Sequence, residues 1–558
     1  MIPLITLAMA AADPGDLMAA AEAEMNRAMT LQLPEQPSPY LINYEILDGS
    51  VATSLASFGG IISESVRTHR NIRAEVRVGD YAFDNTNFNP MFGERNGTSS
   101  RGLPHEDNLV ALQREIWLAT DIAYKGATEQ LSAKIAAWEN RPPSEIPDLI
   151  QVSPLITDPL EKPTLQENQV SDLVRQLTMT LHSHEHLEDA DAIARDWQGV
   201  RMLCSTEGNR AWIPTGFSVV RVEAISRAED GARLRNARWW VAPTMSALPS
   251  VDSMNAELEE MADWLAQSIT APVEEDYLGP VLFEDDAAVE LFRQLLLPEL
   301  SGTPPAAEPP DGFEGTPTVH ATARLGRRLL PAGWQVVDDP SFNSELAGSY
   351  QYDFEGVAPR SVELVEDGVV RDLLMSRIPS ETSQQSTGHG RALGMDRREA
   401  IPGVVTVAPR RQRSDKRLRR KALALAREAG LPYILVIRRL EPPAMAEDFR
   451  IAFSGEGPLP GLTRPLEAYR LYPDGREEPV RGLEFVGVDR RVLRDIAMAG
   501  GISEPTNAMD SAPGSRRFSI GAVGGLPVTW SAPSVVIVEM ELRGQGGIDQ
   551  RVLPPPPR

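Results

Sequence analysis

Seven histidines and one cysteine bound the metal chemistry open to this chain: His69, His105, His182, His184, His186, His320, His389 and Cys204. A helix that holds zinc beside a catalytic glutamate needs two imidazoles at helical spacing. Neither HExxH nor HExxxH occurs. The only cluster is Leu181-His182-Ser183-His184-Glu185-His186-Leu187. On a strand, the i, i+2, i+4 spacing puts all three rings on one face, a possible set of ligands for zinc or nickel. On a helix, His182 and His186 share a face and His184 turns away. A third reading is an exposed helix end, where imidazoles favour the macrodipole.

Other nucleophile patterns are absent. Cys204 lies in the apolar run from Val200 and reads as a small buried hydrophobe. There is no G-x-S-x-G elbow, and Gly500-Gly501 and Gly521 to Gly525 form neither a dinucleotide nor a phosphate loop. The block Arg410 to Lys421 reads as a solvent-facing helix capped by Ser414, or as a patch for an acidic partner. One stretch is richer in carboxylates and glycines. It carries Asp338, Asp339, Asp353, Glu355 and Gly356, then Thr387, Gly388, His389 and Arg391. Such groups can bind a cation or cap turns, and spacing alone does not choose.

The elements that must position these residues follow from periodicity. Helices are expected over Asp16 to Leu31, Asn108 to Trp138 as one long or two short helices, Glu167 to His182, Ser253 to Ile269 and Asp285 to Leu297. Strands are expected over Tyr40 to Asp48, Val51 to Phe58, Arg73 to Val78, Gly216 to Ser226, Arg233 to Ala242 and Gly279 to Phe283, with Asp48-Gly49 and Gly59-Gly60 as turns. Hairpins centred on Asp367-Gly368 and Asp474-Gly475 dominate the second half. The fold class is α+β with antiparallel sheets and packed helices. The expected units are an amino-terminal α+β domain over 16–105, a central domain over 106–250 with a proline-rich insertion at 141–165, a β-rich domain over 251–545, and a proline-rich tail over 546–558.

Composition narrows the function. The 558 residues carry 55 Lys plus Arg against 79 Asp plus Glu, a net charge of −24, which argues against nucleic-acid coating. Of the basic residues 50 are Arg, which reads as a compositional bias. No apolar run is long enough for a membrane span. Residues 1–15 hold a short apolar stretch ending Ala8-Met9-Ala10, similar to a residual signal-peptide cleavage site, so a periplasmic or secreted location is expected, with the cytoplasm as the alternative.

The order of motifs resembles the TldD/TldE (PmbA) family, whose members are called modulators of DNA gyrase and metalloproteases. The resemblance rests on Asp338-Asp339-Pro340, Asp353-Phe354-Glu355-Gly356, the Glu366 to Val370 hairpin and Thr387-Gly388-His389-Gly390-Arg391. Tyr277 to Phe283, Ser205-Thr206-Glu207-Gly208 and Arg77-Val78-Gly79-Asp80-Tyr81 support it. It implies a multi-domain fold in which Asp338, Asp339, Asp353, Glu355, Gly356, Thr387, Gly388, His389 and Arg391 line a cavity. It also implies a homodimer, or a heterodimer with a TldD-like homologue bearing HExxxH, acting on unfolded peptide.

In the family's active subunit the HExxxH helix follows the Gly-Pro-Val strand, and a cysteine ligand lies further on. Here that helix reads Glu284-Asp285-Asp286-Ala287-Ala288-Val289-Glu290-Leu291-Phe292, and Arg398 to Val404 holds no cysteine. The expectation is therefore a TldE-like pseudoenzyme or partner subunit with no cofactor and no catalytic residue. The alternative is a peptidase with a displaced zinc site on His182, His184 and His186.

Overall fold

The computed structural model describes residues 14–89, 96–139, 145–163, 165, 167–307, 324–392, 397–441, 443, 461–510 and 525–544. The leading apolar stretch, the tail and parts of the proline-rich segments lie outside them. The first unit is one antiparallel sheet of β1 (Pro39–Ser57), β2 (Gly60–Val78), β3 (Thr98–Gly102), β4 (Asp189–Ser205), β5 (Arg210–Arg227) and β6 (Arg233–Ala242), in the order β3-β2-β1-β4-β5-β6. The boundary expected at residue 105 is therefore internal to a sheet. β1 pairs with β4 from Asn43↔Ser205 to Ser57↔Asp191, because the helical segment between them returns the chain beside its own start.

The turn expected at Asp48-Gly49 does not form. β1 runs straight through, with Gly49 paired to His69 and Gly199. A side chain at Gly49 would place its Cβ 2.6 Å from Cη2 of Trp197, so this glycine admits an indole rather than a reversal. The reversal comes at Phe58-Gly59, both left-handed at φ 44° and 82°.

The pleat separates two kinds of surface. Ile42, Tyr44, Ile46, Ala52, Ala192, Met202 and Val220 share one face. Over them lie α1 (Pro14–Ala28) and α2 (Leu109–Trp138) at one end, and α3 (Glu167–Leu181) and α4 (Val251–Ser268) at the other. α2 is one unbroken helix, started by the Asn108 side chain accepting from Ala111 N at 3.1 Å. Met254, Leu258, Met261 and Leu265 of α4 join this core, so the second unit begins after α4 rather than at residue 251. Cys204 is buried here, its Sγ 4.0 Å from the Met25 sulfur, and burial pushes the thiol up to about 12. It is a core atom rather than a nucleophile.

The second unit has two mixed sheets around one helix. β7 (Tyr277–Phe283) leads into α5 (Asp285–Leu300), then β8 (Trp334–Asp338), β9 (Val362–Glu366), β10 (Val369–Val370), β11 (Gly390–Arg391), β12 (Glu399–Ala400) and β13 (Val404–Pro409). The chain continues through α6 (Asp415–Glu428), β14 (Ile434–Leu440), β15 (Pro465–Leu471), β16 (Glu477–Val480), β17 (Leu483–Phe485), β18 (Ile496–Ile502), β19 (Thr506–Asp510), β20 (Leu526–Ser531) and β21 (Pro533–Gly544). One sheet runs β10-β9-β8-β13-β20-β19 and the other β16-β15-β14-β7-β21-β17, with β18 on β21; β11 and β12 pair alone. Val281 and Phe283 face the α5 core, whereas Leu282 between them packs under Leu418 and Ala422 of α6. No described helix is long and apolar enough to cross a membrane.

Candidate functional site

The carboxylate-rich stretch docks onto the charged face of the first sheet. On that face Glu45, Glu75, Arg77 and Arg201 are all buried. Arg398, just before β12, reaches across from the second unit and gives Nη2 to Glu45 at 2.9 Å and Nη1 to Glu75 at 3.2 Å. Arg201 also bonds Glu45, and Arg77 bonds Glu75 at 2.7 Å and Asp84 at 3.0 Å. Against the cost of burial, Arg201 and Arg398 hold Glu45 below the usual carboxylate range; Arg77 and Arg398 take Glu75 down to about 2.

A second tie lies beside it. Arg377 grips Glu207 with two bonds of 2.7 Å and donates to the Ile150 carbonyl. Its backbone N–H donates to Glu355 Oε2 at 2.8 Å. Gly390 makes that approach possible, since a Cβ there would fall 2.1 Å from the same oxygen. Asp353 accepts from Glu355 N, Val357 N and Gly390 N at 2.8–2.9 Å. Phe354 between them carries the Arg201 guanidinium 3.3 Å above its ring.

Asp338, His389 and Thr387 stand in the order of a hydrolytic triad. His389 Nδ1 is 2.8 Å from Thr387 Oγ1, and its Nε2 is 3.5 Å from Asp338 Oδ2. The arrangement is closed to substrate. All three residues are at most 1% exposed. Thr387 Oγ1 is already engaged with Met375 N and O, and Asp338 holds Gly403 N and Val404 N. Tyr350 O–H donates to the Gly388 carbonyl, and Arg391 donates to the Pro402 and Pro527 carbonyls. These bonds join segments of the second unit into one buried network.

Of the residues expected to line a cavity, Asp338, Asp353, Glu355, Thr387, Gly388, His389 and Arg391 are therefore brought together but buried. Gly356 supplies a left-handed turn at φ 80° facing Asn209 and Leu203. Asp339 is exposed and caps a turn by accepting from Ser341 N and Oγ. The partners Glu45, Glu75, Arg201, Arg377 and Arg398 were missed. Their signal was the alternation Arg73-Ala74-Glu75-Val76-Arg77, charged on one face and apolar on the other.

Burial first, then the charge of Glu355, pushes the Asp353 carboxyl up to about 7, and burial raises Glu355 as well. The folded pair therefore keeps a proton that unfolded carboxyls release near pH 4, and stability falls as pH rises from there through about 7. Glu355→Gln should flatten this slope, recovering roughly 2 kcal/mol above pH 7. Urea midpoints measured between pH 5 and 8 test this; an unchanged slope would sink it. Asp148, Asp191 and Glu299 are also raised, chiefly by burial, so some slope remains.

The three clustered histidines do not form one ligand set: the His184 and His186 rings stand edge to face at 5.6 Å, and His182 turns to Phe58. α3 ends at Leu181 and the chain turns through 182–188, so neither the strand nor the helix spacing applies. The His182 ring stands 6.0 Å from Phe58; His184 Nε2 meets Glu259 at 2.9 Å; His186 Nε2 meets the Ala262 carbonyl at 2.9 Å. Among the described residues no three His, Cys, Asp or Glu side chains are placed to hold a metal ion.

At the start of α5, Glu284 and Asp286 already have partners. Glu284 accepts two 2.8 Å bonds from Arg419, with Arg438 close by, and Asp286 bonds Arg439. Arg419 thus leaves the solvent-facing role expected for its basic block. Further along, Glu290, Arg293 and Asp510 form a buried ion triad. This donor set, carboxylates neutralised by guanidinium with no imidazole or thiolate, does not fit a zinc ion.

The architecture is α+β, with sheets that are mostly antiparallel. Residues 276–421 match the PmbA/TldA metallopeptidase C-terminal domain. TldE from Thermococcus kodakarensis is similar in structure at 13% identity and a TM-score of 0.58, covering 95% of this chain and 99% of that one. TM0727 from Thermotoga maritima MSB8, described as a proposed modulator of a DNA gyrase, matches at 14% identity and 0.58 over 90% and 96%. A metalloprotease of Methanothermobacter thermautotrophicus is 43% identical over 54 residues, which span only 10% of this chain and 12% of that relative.

Proposed function

We propose that the chain is a non-catalytic, TldE-like subunit that binds unfolded peptide and pairs, as a homodimer or with a TldD-like homologue bearing HExxxH. What supports this reading is the start of α5, where the metal motif of the active subunit would belong: Glu284 there is engaged by Arg419 and Arg438 instead of standing beside imidazoles. A hydrolase of this kind needs a cation to polarise the carbonyl and acidify its water.

The test is metal analysis of the purified chain after zinc loading, with cleavage of an unstructured peptide assayed alone and after mixing with an HExxxH homologue. The expected outcome is no stoichiometric zinc, no cleavage alone, and altered cleavage by the homologue on mixing. Replacing His182, His184 and His186 together by Gln should leave metal content unchanged and stability within about 1 kcal/mol. Stoichiometric zinc lost in that variant would overturn the reading and restore the displaced-site peptidase.

A further inference from the structure

A cavity of about 530 Å³ opens on the charged face of the first sheet, away from the buried docking network. Its lining comes from three adjacent cross-strand rows. One row is Arg67, Val51, Trp197 and Phe217; the next is Ser65, Thr53 and Arg195; on the other side His69 pairs with Gly49, which pairs with Gly199. The paired glycines leave the floor bare there, and the Trp197 indole lies over Gly49 with the His69 ring 6.0 Å away.

The result is a pocket in which apolar and cationic side chains adjoin. Val51, Trp197 and Phe217 make an apolar wall. Arg67, Arg195, His69, Thr53 and Ser65 supply two guanidinium groups, an imidazole and two hydroxyls, and no carboxylate is among the lining residues. In a chain of net charge −24 this is a local reversal of sign. His69 registers it: burial first, then Arg67, His105 and Arg195, hold its imidazole below the ordinary value. Pockets of this volume take small ligands or the end of a chain, and guanidinium groups recognise carboxylates with charge-assisted bonds.

The geometry points to a binding site for a carboxylate carried on an apolar body, with the anion at Arg67 and His69 and the apolar part against Trp197 and Phe217. The source assigned is the free carboxyl terminus of a bound peptide, a choice that rests on the peptide-binding reading above. A free aromatic acid offers the same chemistry.

Calorimetric titration of the full chain separates these sources. The probes are an unstructured decapeptide ending in phenylalanine, the same peptide with an amidated end, and phenylpropionate. The free-acid peptide is expected to bind at least tenfold more tightly than the amide, and Arg67→Gln, an exposed position, should abolish that difference. Phenylpropionate binding as tightly as the peptide, and lost in Arg67→Gln, supports the pocket with a small acid as its ligand. Equal binding of acid and amide, or an unchanged difference in Arg67→Gln, overturns the site and leaves the peptide-binding reading standing. Loss of all peptide binding with phenylpropionate retained removes that reading and keeps the pocket.

Discussion

Arg398→Ala is expected to lower stability by about 3 kcal/mol or more, because it leaves two buried carboxylates each short of a cation. Arg398 is the side chain through which the second unit bonds both Glu45 and Glu75 of the first sheet. Arg201 and Arg77 remain beside those glutamates, which keeps the loss below that of a bare buried charge. The effect should fall on the docking of the two units, so urea unfolding followed by Trp fluorescence should broaden or split into two transitions. A double-mutant cycle with Glu45→Gln isolates the pair, since the second change then costs less than it does alone. A single transition with an unchanged midpoint would show that the network does not hold the units together.

Arg293→Leu carries a comparable penalty for a different reason. Its guanidinium, 2% exposed, bonds both oxygens of Glu290 within α5 and reaches Asp510 at the end of β19. Removing it leaves two carboxylates facing each other in a dry interior, a loss of about 3–5 kcal/mol. Adding Glu290→Gln and Asp510→Asn should recover much of this, since a neutral set of similar shape needs no counter-charge. Thermal unfolding of the single and triple variants decides it. A triple variant no more stable than the single one would place the cost in packing rather than in charge.

Both predictions turn on arginine, and there the sequence was least transparent. Fifty Arg residues in one chain read as compositional bias, yet Arg201, Arg238, Arg293, Arg377, Arg391 and Arg398 are buried and bonded. Long-range ion pairs leave no periodic trace. Arg398 and Glu45 are 353 residues apart, and only the fold brings them together. Local patterns served better. The long periodic stretch after Asn108 became α2, and the Phe58-Gly59 reversal formed beside the Gly59-Gly60 pair expected to permit it. Asp48-Gly49 misled because a turn dipeptide and a glycine sparing room for a neighbouring indole look the same in one dimension.

The candidate site shows the same division. The motif order identified the stretch from Asp338 to Arg391, and its residues do gather, but spacing alone could not distinguish lining a cavity from being sealed beneath another domain. The histidine cluster failed on a boundary: three imidazoles at alternate positions align only if the segment is a strand, and it is a turn.

The two-sided pleat of the first sheet has a consequence for errors in folding. Successive residues of β1 look into opposite worlds, Tyr44 toward the helices and Glu45 toward the guanidinium groups of Arg201 and Arg398. A strand that paired one place out of register would drive Glu45 into the aliphatic core and offer Tyr44 to a row of arginines. Most half-buried sheets penalise such a slip on one side only, since their outer face meets water. Here, around Tyr44 and Glu45, each face rejects the other's side chains, so a one-residue slip of this nineteen-residue strand is penalised on both sides of the sheet.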